Sequence, residues 1–338
     1  MLDSKVIEPW SLCMNTALRT TRRHLLSALS ALCLGLGLCS AHADTTIKLM
    51  VGFPPGGGTD AIARLLGDKL KDQLGANVIV ENKAGAGGQL AAQALKAAPA
   101  DGSVLFLSHD HTISILPQVV KNPGFNTAQD FTPVAGFATF VNVLAISGGT
   151  PAKSLHEYIA WVKNKGKDTV GVPAPASVPE FLVKVIGEKY KLDLQAAPYR
   201  GSAHMMADML GNQIAAGVAS VPDFIENHKA GKLRIVAVLG AKRQGILPDV
   251  PTFAELGMSG FEDLPYYGIW APQGTPKAVV DRYADAVSKV VALPEVKERL
   301  SAMGLAVGHM TPAQLDAREK AYTATWARII KASGFQAQ

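Results

Sequence analysis

The sequence predicts an α/β protein built as two lobes joined by two hinge crossovers, and three observations carry that reading. Short β-type runs alternate along the chain with helix-patterned ones, the mark of open, largely parallel sheets. Two runs, NVLAIS around residue 144 and YYGIWAP around residue 269, are each followed by Gly/Pro/Thr punctuation and read as crossovers between the same two lobes. With 338 residues the chain is long enough for two separate cores. The first lobe is then discontinuous, 44–143 plus 268–338, and the second is 144–267. Two lobes on paired hinges close around a ligand.

The first 43 residues stand apart. Arg19, Arg22 and Arg23 precede the apolar run HLLSALSALCLGLGLC, and the small-residue site Ala41-His42-Ala43 follows it. This is the pattern of a secretory signal peptide, with cleavage after Ala43 leaving Asp44 at the new terminus. The segment before Met14 fits no targeting pattern and suggests an upstream start codon. Arg22-Arg23 leaves twin-arginine export open beside the general route. Leu38 occupies the position that a lipobox would keep small, so lipidation is not expected. All three cysteines, Cys13, Cys33 and Cys39, fall in this leader. The mature chain is therefore expected to hold no disulfide and no thiol nucleophile. Of 33 Lys/Arg and 28 Asp/Glu, the leader carries 4 and 2, which leaves 29 minus 26, or +3. No basic run is dense enough for nucleic acid, and no later segment is long and apolar enough to span a membrane. A soluble, periplasmic, monomeric protein is expected.

Within the first lobe, TIKLMVGF reads as a strand and TDAIARLLGDKLKDQLG as a helix. Its Ile62, Leu65, Leu66 and Leu70 share one face, and Gly75 closes it. NVIVENK and SVLFLSH are strands flanking the helix GGQLAAQALKAAP. The second lobe runs FVNVLAIS, helix SLHEYIAWVKNKG, strand DTVGVP, helix PEFLVKVIGEKY, strand LQAAPYR, helix HMMADMLGNQ, and strands AAGVAS and LRIVAVLG. PYYGIWAPQGTP returns as a strand before three helical stretches that end near Lys331.

Ligands in such sheets sit beyond the carboxyl ends of the strands, so the loops there carry the chemistry. Gly56-Gly57-Gly58 precedes a helix with Thr59 as its cap and Asp60 in its first turn. Bare backbone at a helix N-terminus makes an anion seat. No lysine follows the glycines and no G-x-G-x-x-G is present, so the anion is not a nucleotide phosphate, and a carboxylate fits better. Lys83 to Ala92, KAGAGGQLAA, repeats the arrangement. In LSHDHT, Leu107 to Thr112, the His109-x-His111 pair lacks a third metal ligand marked by spacing. Consecutive Ser108, His109 and Asp110 point to alternate sides and cannot form a catalytic line. His109, His111 and Thr112 are expected to line the cleft.

Taken in order and with their gaps, VGFPPGGGTDAIAR, VENKAGAGGQLAA, PADGSVL, YRG, GKLRIVAV, PDVPTFAELG and GIWAPQGTP resemble the Bug receptors, the TctC-type solute-binding proteins of tripartite tricarboxylate transporters. The resemblance covers essentially the whole mature chain. It implies a Venus-flytrap fold of the type II kind and a carboxylate-containing solute handed to TctA/TctB-like permease subunits. It implies no cofactor, no metal and no catalysis. By the same resemblance the ligand carboxylate meets the loop holding Phe53, Gly57, Gly58 and Thr59 and the loop Ala84, Gly85, Ala86 and Gly87. Tyr199 and Gly201 of the YRG stretch face it from the other lobe.

The chain departs from that pattern in VPAPASVPEF, Val172 to Phe181, where Pro173, Pro175 and Pro179 replace amide donors and Ser177 keeps a hydroxyl. It departs again in ASVPDFIEN, where Asp223 and Phe224 stand. The far end of the ligand is therefore expected to be less anionic than citrate, leaving an aromatic, aliphatic or amine-bearing carboxylate open, with Asp110 or Asp223 as the candidate site for an amine. Neither G-x-S-x-G nor H-E-x-x-H occurs, which speaks against a hydrolase. A sensor passing the same ligand's signal to a membrane kinase is the alternative to a transport receptor.

Overall fold

The computed structural model describes residues 46–164, 166–260 and 263–337. The proposed leader, its three cysteines and Asp44 lie outside the described residues. Thr46–Gln338 forms one compact unit.

Two sheets organise it. The first contains β1 (Thr46–Val51), β2 (Asn77–Asn82), β3 (Val104–His109), β4 (Phe131–Thr139), β10 (Tyr266–Pro272) and β11 (Ala306–Met310) in the order β11-β4-β10-β3-β1-β2. The second contains β5 (Asn142–Ser147), β6 (Thr169–Val172), β7 (Gln195–Pro198), β8 (Ala216–Ser220) and β9 (Leu233–Val238) in the order β7-β6-β8-β5-β9. The chain leaves the first sheet after Thr139, joins the second at Asn142 and is back in the first at Tyr266.

The sheets are mixed, which corrects the largely parallel arrangement expected from the sequence. β1 runs parallel to β2 and β3, and β6 parallel to β7 and β8. The crossover strands run the other way: β10 is antiparallel to β3 and β4, and β5 to β8 and β9. The register gives the reason. Tyr267 at the start of β10 pairs with His109 at the end of β3, and Asn142 at the start of β5 pairs with Ser220 at the end of β8. A strand arriving from the other sheet enters at the edge where the parallel strands finish, and so must run back against them.

Helices cover both sheets. α1 (Gly58–Leu74) buries Ile62, Leu65, Leu66, Leu70 and Leu74, and Gly75 ends it with a left-handed φ of 58° and its N–H on the Lys71 carbonyl. α2 (Gln89–Lys96), the short α3 (Leu116–Val119) and α4 (Thr127–Asp130) follow in the same half, then α5 (Leu155–Lys163), α6 (Val178–Tyr190), α7 (Ser202–Leu210) and α8 (Val221–Lys229) in the second. α9 (Lys277–Ala292), α10 (Pro294–Ala302) and α11 (Pro312–Ala332) complete the chain. α11 starts from a Thr311/Gln314 capping box and buries Tyr322, Trp326 and Ile330. It packs on the first sheet's half, where Trp270 Nε1 donates to Glu319, and it also touches the second: Phe181 of α6 lies 5.6 Å from Trp326, ring to ring. No helix among the described residues is long and apolar enough to cross a membrane.

Candidate functional site: a cleft between the two sheets

The Gly56–Gly58 turn joins β1 to α1 at the edge where the sheets meet. The helix starts at Gly58, with Gly57 in the cap position and no side-chain cap. Thr59 is therefore not the cap expected from the sequence. It lies inside the first turn, and its hydroxyl is 3.2 Å from the Tyr267 hydroxyl. The physical reason is that carboxylates already serve the turn's amides. Gly56 N–H donates to Asp60 Oδ2 at 3.0 Å, and Gly58 N–H donates to Asp223 Oδ1 at 2.9 Å. Asp60 also accepts from Arg64 Nε and Nη2 and from Asn82 Nδ2, at 2.9–3.0 Å. Burial works against its charge, yet the Arg64, Gly56 and Asn82 hydrogen bonds outweigh it and hold the pKa below the ordinary value.

The second glycine turn is used differently. Ala86–Gly88 forms a single 3-10 turn, and Thr112 Oγ1 donates to the Gly87 carbonyl at 2.7 Å. A Cβ on Gly87 would stand 2.5 Å from His111 Nε2, and one on Gly88 would stand 2.3 Å from Thr112 Oγ1. Here the missing side chains make room for the turn that carries His111 and Thr112.

That turn is helical, although the sequence reads as a loop. β3 ends at His109, and His111–Ile115 winds into a wide helical turn because Ile113, Ile115 and the following Leu116 are buried. His109 stacks on Phe53 at 4.9 Å and meets the edge of Tyr267 at 5.4 Å. Asp110 accepts from the Tyr322 hydroxyl at 2.9 Å and lies 3.3 Å from His109 Nδ1. Ser108 Oγ has no hydrogen-bond partner, so nothing activates it as a nucleophile. His111 is buried, and burial first, then the neighbouring His109, pull its pKa down to about 4 against the opposing effect of Asp110. The ring is neutral at pH 7. Its Nδ1 has no partner while its side chain lines the cleft.

From the second sheet, Ser177 lines the cleft but gives its hydroxyl hydrogen to the Ala174 carbonyl at 2.6 Å. Tyr199 donates to Asp208 Oδ2 at 2.7 Å, and burial together with that carboxylate pushes its pKa up to about 12. Gly201, at φ 97°, lets the chain pass close to Pro54, where a Cβ would meet Cδ at 2.6 Å. Asp223 opens α8 in a capping box with Ser220 and reaches across to Gly58.

Together these residues border a cleft whose empty space, open mouth included, is about 580 Å³. Of the positions expected from the sequence, Phe53, Gly57, Thr59, His109, His111, Ser177 and Asp223 line it. Gly85, Ala86, Gly87, Tyr199 and Gly201 line an adjoining groove that shares Phe53 and Pro54 with it, while Gly58, Ala84 and Thr112 line neither. Sequence reasoning missed Phe140, Ser202, Ser220 and Tyr267. For Ser220 a signal existed: Ser220-Val221-Pro222-Asp223 is a helix-start pattern with proline in the first turn. Among the described residues no group of three or more His, Cys, Asp or Glu could hold a metal ion.

Two α/β halves, exchanged by paired crossovers and enclosing a small aromatic and polar cleft, define a periplasmic-type solute-binding protein. The chain belongs to the tripartite tricarboxylate transporter family receptors, whose TctC profile matches residues 62–335. It is 30% identical over 294 residues to Protein BugT of Bordetella pertussis, covering 85% of this chain and 89% of BugT. It resembles the structure of periplasmic binding protein BugD with a TM-score of 0.82 at 31% identity, covering 87% of this chain and 99% of that one. It resembles R. palustris Rpa4515 with adipate with a TM-score of 0.81 at 28% identity, covering 86% and 98%.

Proposed function

We propose that this chain is an exported receptor that captures a small carboxylate-bearing solute, unchanged, in the cleft and delivers it to the membrane permease of a tripartite tricarboxylate-type transporter. The lobes that close on the solute are 44–143 plus 268–338 and 144–267, and the leader is removed after Ala43 on export. The observation that carries the reading is the cleft itself, walled from both sheets and with the neutral His111 ring in its lining. A neutral imidazole carries one N–H that can be given to a ligand oxygen. Membership of a receptor family and the adipate held by Rpa4515 support a carboxylate as that ligand. Phe53, Gly57, Thr59, His109 and Ser177 are the further contacts proposed in the cleft, with Gly85 to Gly87, Tyr199 and Gly201 lining its entrance.

Calorimetry on ligand-stripped protein against mono-, di- and tricarboxylates tests this. One hydrogen bond to a charged group contributes about 1.5–3 kcal/mol, so His111→Phe is expected to weaken the best ligand roughly ten- to a hundredfold. Because His111 titrates only at about 4, it should add no pH dependence to the affinity from pH 5.5 to 8. Turnover of the ligand by pure protein, or binding of no carboxylate at all, would overturn the proposal.

A further inference from the structure

The anion seat between the lobes is occupied by the chain's own side chain. Asp223 Oδ1 accepts from Gly58 N–H at 2.9 Å and from Ser202 Oγ at 2.5 Å. Oδ2 accepts from Ser220 N–H at 3.2 Å and from Ser220 Oγ at 2.5 Å. Gly58 lies at the N-terminus of the 17-residue α1 in the first half; the other three donors belong to the second. The approach is close enough that a Cβ on Gly58 would stand 3.0 Å from Oδ1. A carboxylate has about four lone-pair sites, and here four donors fill them.

Resting on the carboxylate-receptor reading above, we infer that Asp223 is a specificity-determining residue that makes this receptor select monocarboxylates over dicarboxylates. The seat at Gly58, Ser202 and Ser220 takes one carboxylate, and the protein supplies it. A second ligand carboxylate would find those donors spent and a like charge in their place. The other polar groups of the lining, Thr59, His109, His111 and Asn142, are left to receive the solute's single carboxylate. Its other end meets Phe53, Phe140, Ala174, Val178, Pro179 and Tyr267, an apolar and largely aromatic wall. The same four hydrogen bonds exclude Asp223 as the site of a ligand amine, since no lone pair faces the solute. The ligand class is thus a monocarboxylate with an uncharged apolar or aromatic body.

Two matched pairs test the inference: hexanoate against adipate and benzoate against terephthalate, each pair differing in one carboxylate. Calorimetry is run on wild type, Asp223→Ser and Asp223→Asn, with melting curves to confirm folding. Wild type should prefer the monocarboxylate of at least one pair by tenfold or more. Asp223→Ser empties the seat and should cut that preference at least tenfold; Asp223→Asn, which keeps the size and removes the charge, should cut it less and decides the matter if the serine variant does not fold. Equal affinity of wild type for both members, or an unchanged preference in the folded variants, overturns the inference and leaves the carboxylate reading standing. Binding of neither member of either pair overturns that reading instead. If 6-aminohexanoate binds tenfold tighter than hexanoate and Asp223→Ser abolishes the gain, Asp223 is an amine site and the inference fails.

Discussion

Gly56–Gly58 follows β1 and Gly85–Gly88 follows β2, so the two turns sit at the same ends of neighbouring parallel strands. In the first, carboxylate oxygens come to the amide hydrogens, Asp60 to Gly56 and Asp223 to Gly58, while Ser202 and Pro222 stand 2.9 Å from where Cβ atoms on Gly57 and Gly58 would lie. In the second, what comes close are His111 and Thr112, and they occupy the space that side chains would need. A glycine cluster reports that something must approach the backbone. It does not report whether the visitor is an acceptor for the N–H groups or a neighbour competing for volume. The first turn is tuned by charge as well as by packing, the second by packing, and loss of a charge in the one and of space in the other should fail in different ways.

The largest expected effect is in the packed turn. Gly88 has φ 93°, and a Cβ there would lie 2.3 Å from Thr112 Oγ1 and 3.0 Å from its Cγ2. Left-handed strain and overpacking each cost about 1–2 kcal/mol, so Gly88→Ala should destabilise by about 3 kcal/mol. Urea unfolding would measure it. Pairing the change with Thr112→Ser, which removes Cγ2 and keeps the hydroxyl bond to Gly87, should recover only part of the loss. A Gly88→Ala protein as stable as wild type would break the distinction between the turns.

In the charged turn the matching change is Asp60→Asn, expected to cost about 2 kcal/mol through weakened hydrogen bonds to Gly56 and Arg64. Its signature is pH dependence. The folded pKa of Asp60 lies below the ordinary 3.8, so its contribution is fully present above that value and disappears as pH falls through the lowered one. The stability difference between wild type and Asp60→Asn should therefore be constant at neutral pH and shrink in acid, whereas the Gly88→Ala difference should not follow that titration. Melting temperatures of all three proteins from pH 2.5 to 7 would separate the two behaviours.

Much of the frame was legible because its signals are local. The apolar face of α1, the glycine at its end and the alternation of strands and helices all follow from nearest neighbours in sequence. β4 was not read as a strand because Pro133 and Gly136 interrupt FTPVAGFAT. Its neighbours explain the tolerance: β11 does not reach Pro133, and on the other side Pro133 lies opposite Trp270 at a register shift in the β10 ladder, an irregularity where proline is admitted. Helix α8 went unread although Ser220 and Asp223 announce it. Strand direction was misjudged because it depends on where a chain re-enters a sheet, which no local pattern encodes. The same holds for the site. Residue types and glycine turns pointed to the cleft, but the bond from Gly58 to Asp223 spans 165 positions and exists only once the halves are folded together.

The smallest expected effect isolates backbone geometry from both packing and charge. Gly56 has φ 87°, yet a Cβ there would meet nothing within 4 Å, and its N–H bond to Asp60 does not involve the side chain. Gly56→Ala should therefore cost only the left-handed strain, about 1 kcal/mol, with no titration of the loss in acid. Gly56→Asn should cost less, because asparagine enters the left-handed region more readily than alanine. If Gly56→Ala instead lost as much as Asp60→Asn, and lost it with the same pH profile, then backbone conformation and the Asp60 carboxylate would be one coupled device. The first turn would then be set by strain as well as by charge, and the line between the two glycine turns would move accordingly.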